Sequence, residues 1–171
     1  MDSTGTNTRT VARAIILVAI GVALSPFTSI PIGIAKINPT QHFVNVVAAV
    51  LLGPWWATGV AGIIALLRNT LGTGTLLAFP GGMVGAFLAG IFFQLTRNIY
   101  FGALGEVLGT GVLGAMISAL IVAPALMNKS MALGALIIAF SGSAVVGAVL
   151  GILGLKLLEK AGYAAIKKPE R

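Results

Sequence analysis

The chain has 171 residues, of which 57% are hydrophobic and 9% are charged, and its mean hydropathy is +1.03. This composition excludes a soluble globular domain, because such domains carry about 25% charged residues. Several apolar runs approach or exceed the roughly 20 residues that cross a bilayer, so the sequence predicts an all-α integral membrane protein. The lack of cysteine excludes disulfides, thiolate metal sites and cysteine nucleophiles.

The apolar runs, taken in chain order, predict six transmembrane helices. Their predicted ranges are 10–25, 39–54, 56–69, 79–97, 102–126 and 131–159. Together they form one membrane domain over 10–159, with a short tail at 1–9 and a basic tail at 160–171. An even number of spans places both termini on one side, where eight of the 11 Lys and Arg residues then lie. This asymmetry predicts that both termini lie in the cytoplasm, and the membrane is expected to be the plasma membrane.

The first predicted helix carries two alanines four residues apart, Ala19 and Ala23. Small residues at this spacing allow close helix packing in membranes. Packing inside the protein explains the similar spacing of small residues in the fourth and sixth predicted helices. The smooth face of the first helix is instead a candidate for receiving a helix of another subunit.

The second predicted helix begins with a polar stripe. Asn38 fits the N-cap, Pro39 the first helical position and Gln41 the third, which is a capping-box arrangement. Side chains three and four residues apart share one helix face, and those of this stripe are Asn38, Gln41, His42 and Asn45. Capping and helix–helix hydrogen bonds explain Asn38. Polar groups at membrane depth are expensive, so we expect Gln41, His42 and Asn45 to line a sheltered cavity that opens to the exterior.

A second polar segment ends the third predicted helix and lies on the same outer side. Arg68 either extends to the membrane interface or closes the pocket against a polar group of the ligand. The segment Thr73–Thr75 resembles a flexible capping loop and not a phosphate-binding loop. Phe27, Phe43 and Phe79 are outer-half aromatic residues that supply apolar walls. We therefore predict one substrate-binding site, formed by Asn38, Gln41, His42, Asn45, Arg68, Asn69, Thr73, Thr75 and Phe79.

The chemistry of the stripe favours a small, uncharged ligand that forms hydrogen bonds. Asn and Gln offer donors and an acceptor, and neutral His offers one of each. A divalent cation is disfavoured because no carboxylate is near the stripe in the sequence, so neither a metal nor a cofactor is expected. Glu106 is the one carboxylate placed to lie within the membrane. We expect it to contact Arg97 or interfacial water and not the ligand.

A resemblance to the ThiW family is carried by two long stretches, AKINPTQHFVNVVAAVLLGPWW and LLRNTLGTGTLLAFPGGMVGAFLAG. Members of this family are substrate-binding (S) components of energy-coupling factor (ECF) transporters and are associated with the thiazole precursor of thiamine. The resemblance implies a six-helix bundle that binds its ligand near the outer face, beneath a lid formed by the first loop. It also implies docking on a transmembrane coupling protein driven by two cytoplasmic ATPases. The Ala-x-x-x-Ala pattern that commonly serves this docking falls here on Ala19 and Ala23.

The leading hypothesis is therefore a non-enzymatic, substrate-binding subunit of an ATP-driven importer, with hydroxyethylthiazole as the ligand that the resemblance implies. This ligand is a small neutral heteroaromatic with one hydroxyl group, which suits a few hydrogen bonds and apolar walls. Two alternatives stay open. Internal repeats would favour a stand-alone secondary transporter, and none in the sequence is convincing. Paired carboxylates or a metal cluster would favour a small membrane enzyme, and the sequence has neither.

Overall fold

The computed structural model describes residues 8–33 and 35–163. Most of this part of the chain is helical, which agrees with the predicted all-α membrane fold. The predicted tails at 1–9 and 160–171 lie mostly outside the described residues. The elements in chain order are α1 (Thr8–Thr28), β1 (Ile30–Ile32), β2 (Ala35–Ile37), α2 (Pro39–Leu52), α3 (Pro54–Thr70), α4 (Ala78–Thr96), α5 (Ile99–Met127) and α6 (Leu133–Lys160).

All six predicted helices are present, and each predicted end lies within three residues of the observed one. In the described part of the chain four helices, α1, α4, α5 and α6, are long and apolar enough to cross a bilayer. The other two are shorter, with 14 residues in α2 and 17 in α3. The protein is thus a helical membrane protein, and the crossing of the membrane by α2 and α3 stays a prediction.

α2 begins at a helix start signal and ends at a glycine. Asn38 has an extended backbone and its side chain accepts a hydrogen bond from the Gln41 N–H, while Pro39 supplies a first residue with fixed φ. Gly53 then adopts a φ of +86°, a conformation that L side chains rarely adopt, and Pro54 starts α3 directly. α2 and α3 are therefore consecutive helices joined by a single residue.

α4 and α5 approach closely because glycines face each other across the contact. A Cβ atom on Gly109 would lie 2.7 Å from the Cα of Gly85, and one on Gly114 would lie 2.5 Å from the Cα of Gly81. The predicted role of the α4 glycines in internal packing is thus confirmed. The same part of α5, 109–114, is π-helical, a rare geometry that frequently occurs at functional sites.

The start of α2 lies beside the middle of α6 and not beside an end of it. Gly147, near the middle of the 28-residue α6, leaves room for the first turn of α2, at Pro39 and His42. The halves of α5 and α6 at 115–127 and 133–146 therefore extend past this level. The polar start of α2 therefore lies within the bundle, beside the middle of α6.

Two apolar clusters stabilise the described bundle. The larger one contains buried residues of all six helices and is rich in alanine and valine. The smaller one joins Leu77, in the loop between α3 and α4, to residues from the halves of α5 and α6 that extend past α2. Its other buried members are Ala115, Ala119, Ala123, Leu136, Ala139 and Phe140. Leu77 therefore anchors the α3–α4 loop on the α5–α6 pair.

Candidate substrate-binding site

Asn38 closes the start of α2 and connects it to the end of α1. Its Oδ1 accepts hydrogen bonds from the Gln41 N–H at 3.0 Å and from the Thr28 hydroxyl at 3.2 Å. Its Nδ2 donates to the Ser25 carbonyl at 3.3 Å. The predicted N-cap is confirmed. The Gln41 side chain does not complete a capping box, because it accepts a hydrogen bond from Arg68.

A buried carboxylate lies at the centre of the polar cluster. Glu106 of α5 has no exposed surface, and its Oε1 accepts hydrogen bonds from His42 Nδ1 at 2.8 Å and from Asn45 Nδ2 at 3.0 Å. The Thr110 hydroxyl lies 2.9 Å from the same oxygen and 2.9 Å from the Gly81 carbonyl, so it donates to one of the two. A carboxylate in a low-dielectric interior must be paired and hydrogen-bonded. These partners satisfy Oε1, whereas Oε2 is buried without a hydrogen-bond partner among the described residues.

The expectation that Glu106 contacts Arg97 or interfacial water is wrong. α5 begins at Ile99, three residues earlier than predicted, so Glu106 lies about two turns into the helix instead of one. Its side chain faces α2, whereas Arg97 is exposed in a left-handed conformation (φ 52°) after the end of α4. Glu106 is therefore part of the candidate site, although the sequence prediction does not include it.

Arg68 lies inside the cluster, with only 1% of the residue exposed. Its Nη1 donates to Gln41 Oε1, and its Nη2 donates to the Thr73 carbonyl at 3.0 Å. This burial contradicts the first alternative for Arg68, an extension to the membrane interface. The second alternative, in which Arg68 closes the pocket against a polar group of the ligand, stays a prediction. Arg68 Nε and Gln41 Nε2 are buried without a hydrogen-bond partner among the described residues. Two donors therefore stay available at this point.

These polar groups surround a cavity of about 20 Å³, which is room for about one water molecule. It is lined by Lys36, Ile37, Asn38, Gln41, His42, Arg68, Ala78, Gly81, Gly82, Thr110 and Phe140. A substituted heteroaromatic ring is larger than this volume, so its binding requires side chains or adjoining segments to move. Within residues 8–33 and 35–163, no group of three His, Cys, Asp or Glu side chains is arranged to hold a metal ion.

The structure brings four of the predicted substrate-binding residues to this cavity: Asn38, Gln41, His42 and Arg68. Their contact with a ligand stays a prediction. The sequence prediction misses Lys36, Thr110, Phe140 and the glycine pair at the start of α4. The glycine pair carries a usable signal, because it begins only six residues after Thr75, at the end of the second polar segment. Phe140 carries none, since it is one of many apolar residues in a largely apolar helix.

Three other predicted site residues support the cavity without lining it. Asn45 lies behind His42 and donates to the Gly82 carbonyl at 3.0 Å as well as to Glu106. Asn69 donates to the carbonyls of Ala65 and Thr75 at 2.8 and 3.0 Å. Asn69 and Thr75 therefore shape the α3–α4 loop and do not face the cavity.

The aromatic wall of the cavity comes from Phe140 and not from the three phenylalanines predicted for it. Phe27, near the end of α1, is 86% exposed. Phe43 faces α6, where a Cβ atom on Gly154 would lie 3.0 Å from its ring. Phe79 is half-buried in the first turn of α4 and does not line the cavity. The prediction of these walls is wrong because helix rotation, which the sequence leaves open, turns the three rings elsewhere.

Two segments adjoin the cavity, and we call them together the roof: the β1–β2 hairpin with its flank (29–33 and 35–37) and the α3–α4 loop (71–77). The hairpin lines the cavity through Lys36 and Ile37, and the loop contacts it through the Thr73 carbonyl, which accepts a hydrogen bond from Arg68. The Ser29 hydroxyl donates to the Thr73 carbonyl at 2.9 Å, and the Lys36 ammonium donates to the Gly72 carbonyl. The two segments are therefore bonded to each other. The hairpin lies in the first loop, for which the family resemblance implies a lid, and its action as a lid stays a prediction. The sequence does not predict its strands.

Ala19 and Ala23 lie exposed on α1 and do not line the cavity. They line an apolar groove of about 570 Å³ between α1 and α3. Their exposure agrees with the predicted smooth helix face. Docking of another subunit on this face stays a prediction.

A helical membrane protein with a small polar cavity, buried in the bundle beside two linked loops, has the construction of a protein that binds or carries a small solute. The sequence model of the ThiW family, described as thiamine-precursor transporter protein, matches residues 11–161. The chain belongs to the ThiW family, and the resemblance of its two motifs is thereby confirmed. Transport of a small molecule across a membrane is the role of this family. No curated protein gives a match to the chain.

Proposed function

We propose that the protein is the substrate-binding subunit of an ECF-type importer in the plasma membrane, and that its substrate contains the thiazole of hydroxyethylthiazole. Membership in a family of thiamine-precursor transporters carries this proposal. The cavity supports it, because an aromatic wall and a few polar groups are what a small heteroaromatic ligand needs. In this proposal both termini are cytoplasmic and the roof faces the exterior. Two partner ATPases then supply the work of transport, and the chain itself is not an enzyme.

His42 is the group best placed to bind the ligand. A carboxylate can only accept hydrogen bonds, so His42 Nδ1 donates to Glu106 and this contact orients the ring. The ring lines the cavity, which leaves Nε2 for the ligand. Phe140 offers an apolar surface for the thiazole ring. Ligand binding then requires the roof to open and close again, as lids do in many sites.

Calorimetry of the purified protein with hydroxyethylthiazole tests this function. Saturable binding is expected, and His42→Ala is expected to weaken it at least about tenfold, or about 1.4 kcal/mol. The matched control is Thr70→Ala, an exposed position at the end of α3 outside the cavity. Thermal unfolding of each variant separates lost binding from lost folding. Unchanged affinity in a folded His42→Ala protein would place the site elsewhere.

The groove on α1 is the proposed docking surface for the coupling protein. Ala19→Trp and Ala23→Trp are each expected to abolish co-purification with a co-expressed ECF coupling module, because an indole on this face prevents close helix packing. Ile16→Trp is the matched control, since Ile16 is on α1 but lines a different groove. Normal assembly of both alanine variants would contradict docking through this face. Transport without any coupling module would instead favour a stand-alone transporter.

A further inference from the structure

Arg68 is a buried cation that has no counter-ion among residues 8–33 and 35–163. Its guanidinium is enclosed by α2 and the α3–α4 loop, and its two hydrogen-bond acceptors, Gln41 Oε1 and the Thr73 carbonyl, are both uncharged. Arg68 forms no ion pair with another described residue, and its Nε has no acceptor among them. A buried charge is normally paired, so this environment is incomplete for an arginine.

The surroundings of Arg68 favour negative charge. Lys36 is a second cation that lines the cavity, and none of the described lining residues is a carboxylate. Glu106 lies behind the lining, within hydrogen-bond distance of His42 and Thr110. The first turns of α2 and α4 also line it, through His42 and Gly81, and the N-terminal end of a helix carries partial positive charge. Arg68 lies in the last turn of α3, whose partial negative charge compensates it only in part.

Gln41 holds the position that an anionic acceptor would take. Its Oε1 accepts from Arg68, while its Nε2 is buried and has no partner among the described residues. A side chain on Gly82 would collide with this amide, so the glycine provides its space. A ligand oxygen that replaces Gln41 Oε1 at Arg68 frees the amide to donate from Nε2 to the same ligand.

We propose that the substrate carries an oxyanion, a phosphate or a carboxylate, which binds Arg68, Lys36 and the Gln41 amide. This inference rests on the proposed function, in which the remainder of the ligand is a thiazole against Phe140. Arginine binds both oxyanions through paired, charge-assisted hydrogen bonds, and its affinity for a neutral hydroxyl is weaker. The polar stripe alone favours an uncharged ligand, whereas this proposal favours an anionic ligand that contains the same thiazole ring.

Calorimetry with four ligands tests the charge of the substrate: hydroxyethylthiazole, its monophosphate, a carboxylate on the same ring, and inorganic phosphate. At least one anionic thiazole is expected to bind at least tenfold more tightly than the alcohol, and the tighter one identifies the oxyanion. Equal or tighter binding of the alcohol overturns the proposal while the proposed function stands. If no thiazole binds, the proposed function fails. In that case binding of inorganic phosphate would still support an anion site at Arg68, and absence of phosphate binding would overturn it.

Gln41→Glu is the sharpest variant, because it places a carboxylate of nearly the same shape against Arg68. This internal ion pair is expected to remove the tenfold preference for the anionic ligand while the protein keeps its unfolding temperature. Arg68→Gln is expected to remove the same preference by deleting the cation. Lys129→Gln, an exposed change of the same charge in the α5–α6 loop, is the control and is expected to retain it. Retention of the preference in a folded Gln41→Glu protein overturns the proposal.

Discussion

Replacement of Glu106 by leucine is expected to lower the free energy of unfolding by at least about 2 kcal/mol, because a buried donor left without an acceptor costs about 1–3 kcal/mol and two donors are affected. Leucine retains much of the bulk but removes the acceptor of His42 and Asn45. Each donor then stays buried without a hydrogen bond and loses the compensation for its desolvation. Because these donors are on α2 and the carboxylate is on α5, the change weakens the contact between the two helices. Unfolding in detergent, followed by circular dichroism, measures the loss.

Three further variants identify the cause of that loss. Glu106→Gln keeps one acceptor oxygen and is expected to be destabilised clearly less than Glu106→Leu. His42→Leu added to Glu106→Leu is expected to recover part of the stability, since replacing both partners of a buried pair by apolar groups is often tolerated. Glu159→Gln, an exposed position in the last turn of α6, is the control and should leave stability unchanged. Wild-type stability of Glu106→Leu would contradict the paired, buried carboxylate.

The helices are predictable from the sequence because each is encoded locally. Apolar runs of sufficient length predict α1, α4, α5 and α6, and the Asn38–Pro39 signal predicts the start of α2. The β1–β2 hairpin is not predictable in this way. Its strands have three residues each, too few for the alternating pattern by which strands are identified, and their pairing depends on the turn between them.

The candidate site is predictable only where its residues share one helix. Gln41 and His42 are neighbours on α2, so helical spacing places both at the cavity. Glu106 is 61 residues beyond Asn45, and their contact depends on how α5 is rotated against α2. That rotation follows from the glycine contacts between α4 and α5, which the sequence indicates as packing but does not orient. The burial of Arg68 has the same origin, since it requires the α3–α4 loop to close over it.

The buried residue Leu77 is expected to control the lifetime of the bound ligand through the roof. Leu77 has no exposed surface, and its backbone carbonyl accepts a hydrogen bond from the Ser118 hydroxyl at 3.2 Å. Leu77→Ala removes apolar contacts with α5 and α6 that are worth about 2–5 kcal/mol for a buried leucine. Because Leu77 ends the α3–α4 loop, this loss falls first on the loop that adjoins the cavity.

The expected result for Leu77→Ala is faster amide hydrogen exchange in the α3–α4 loop and at least a tenfold higher rate of ligand dissociation. A tenfold change needs only about 1.4 kcal/mol of lost roof stability, less than the lower limit for the leucine. Leu76→Ala is a control from the adjacent position, because Leu76 is 39% exposed and is expected to change stability by no more than about 0.5 kcal/mol. Hydrogen exchange does not depend on the identity of the ligand, so it tests the anchor separately from the proposed substrate. Equal exchange in the two variants would show that the α3–α4 loop is held by its hydrogen bonds to the hairpin and not by Leu77.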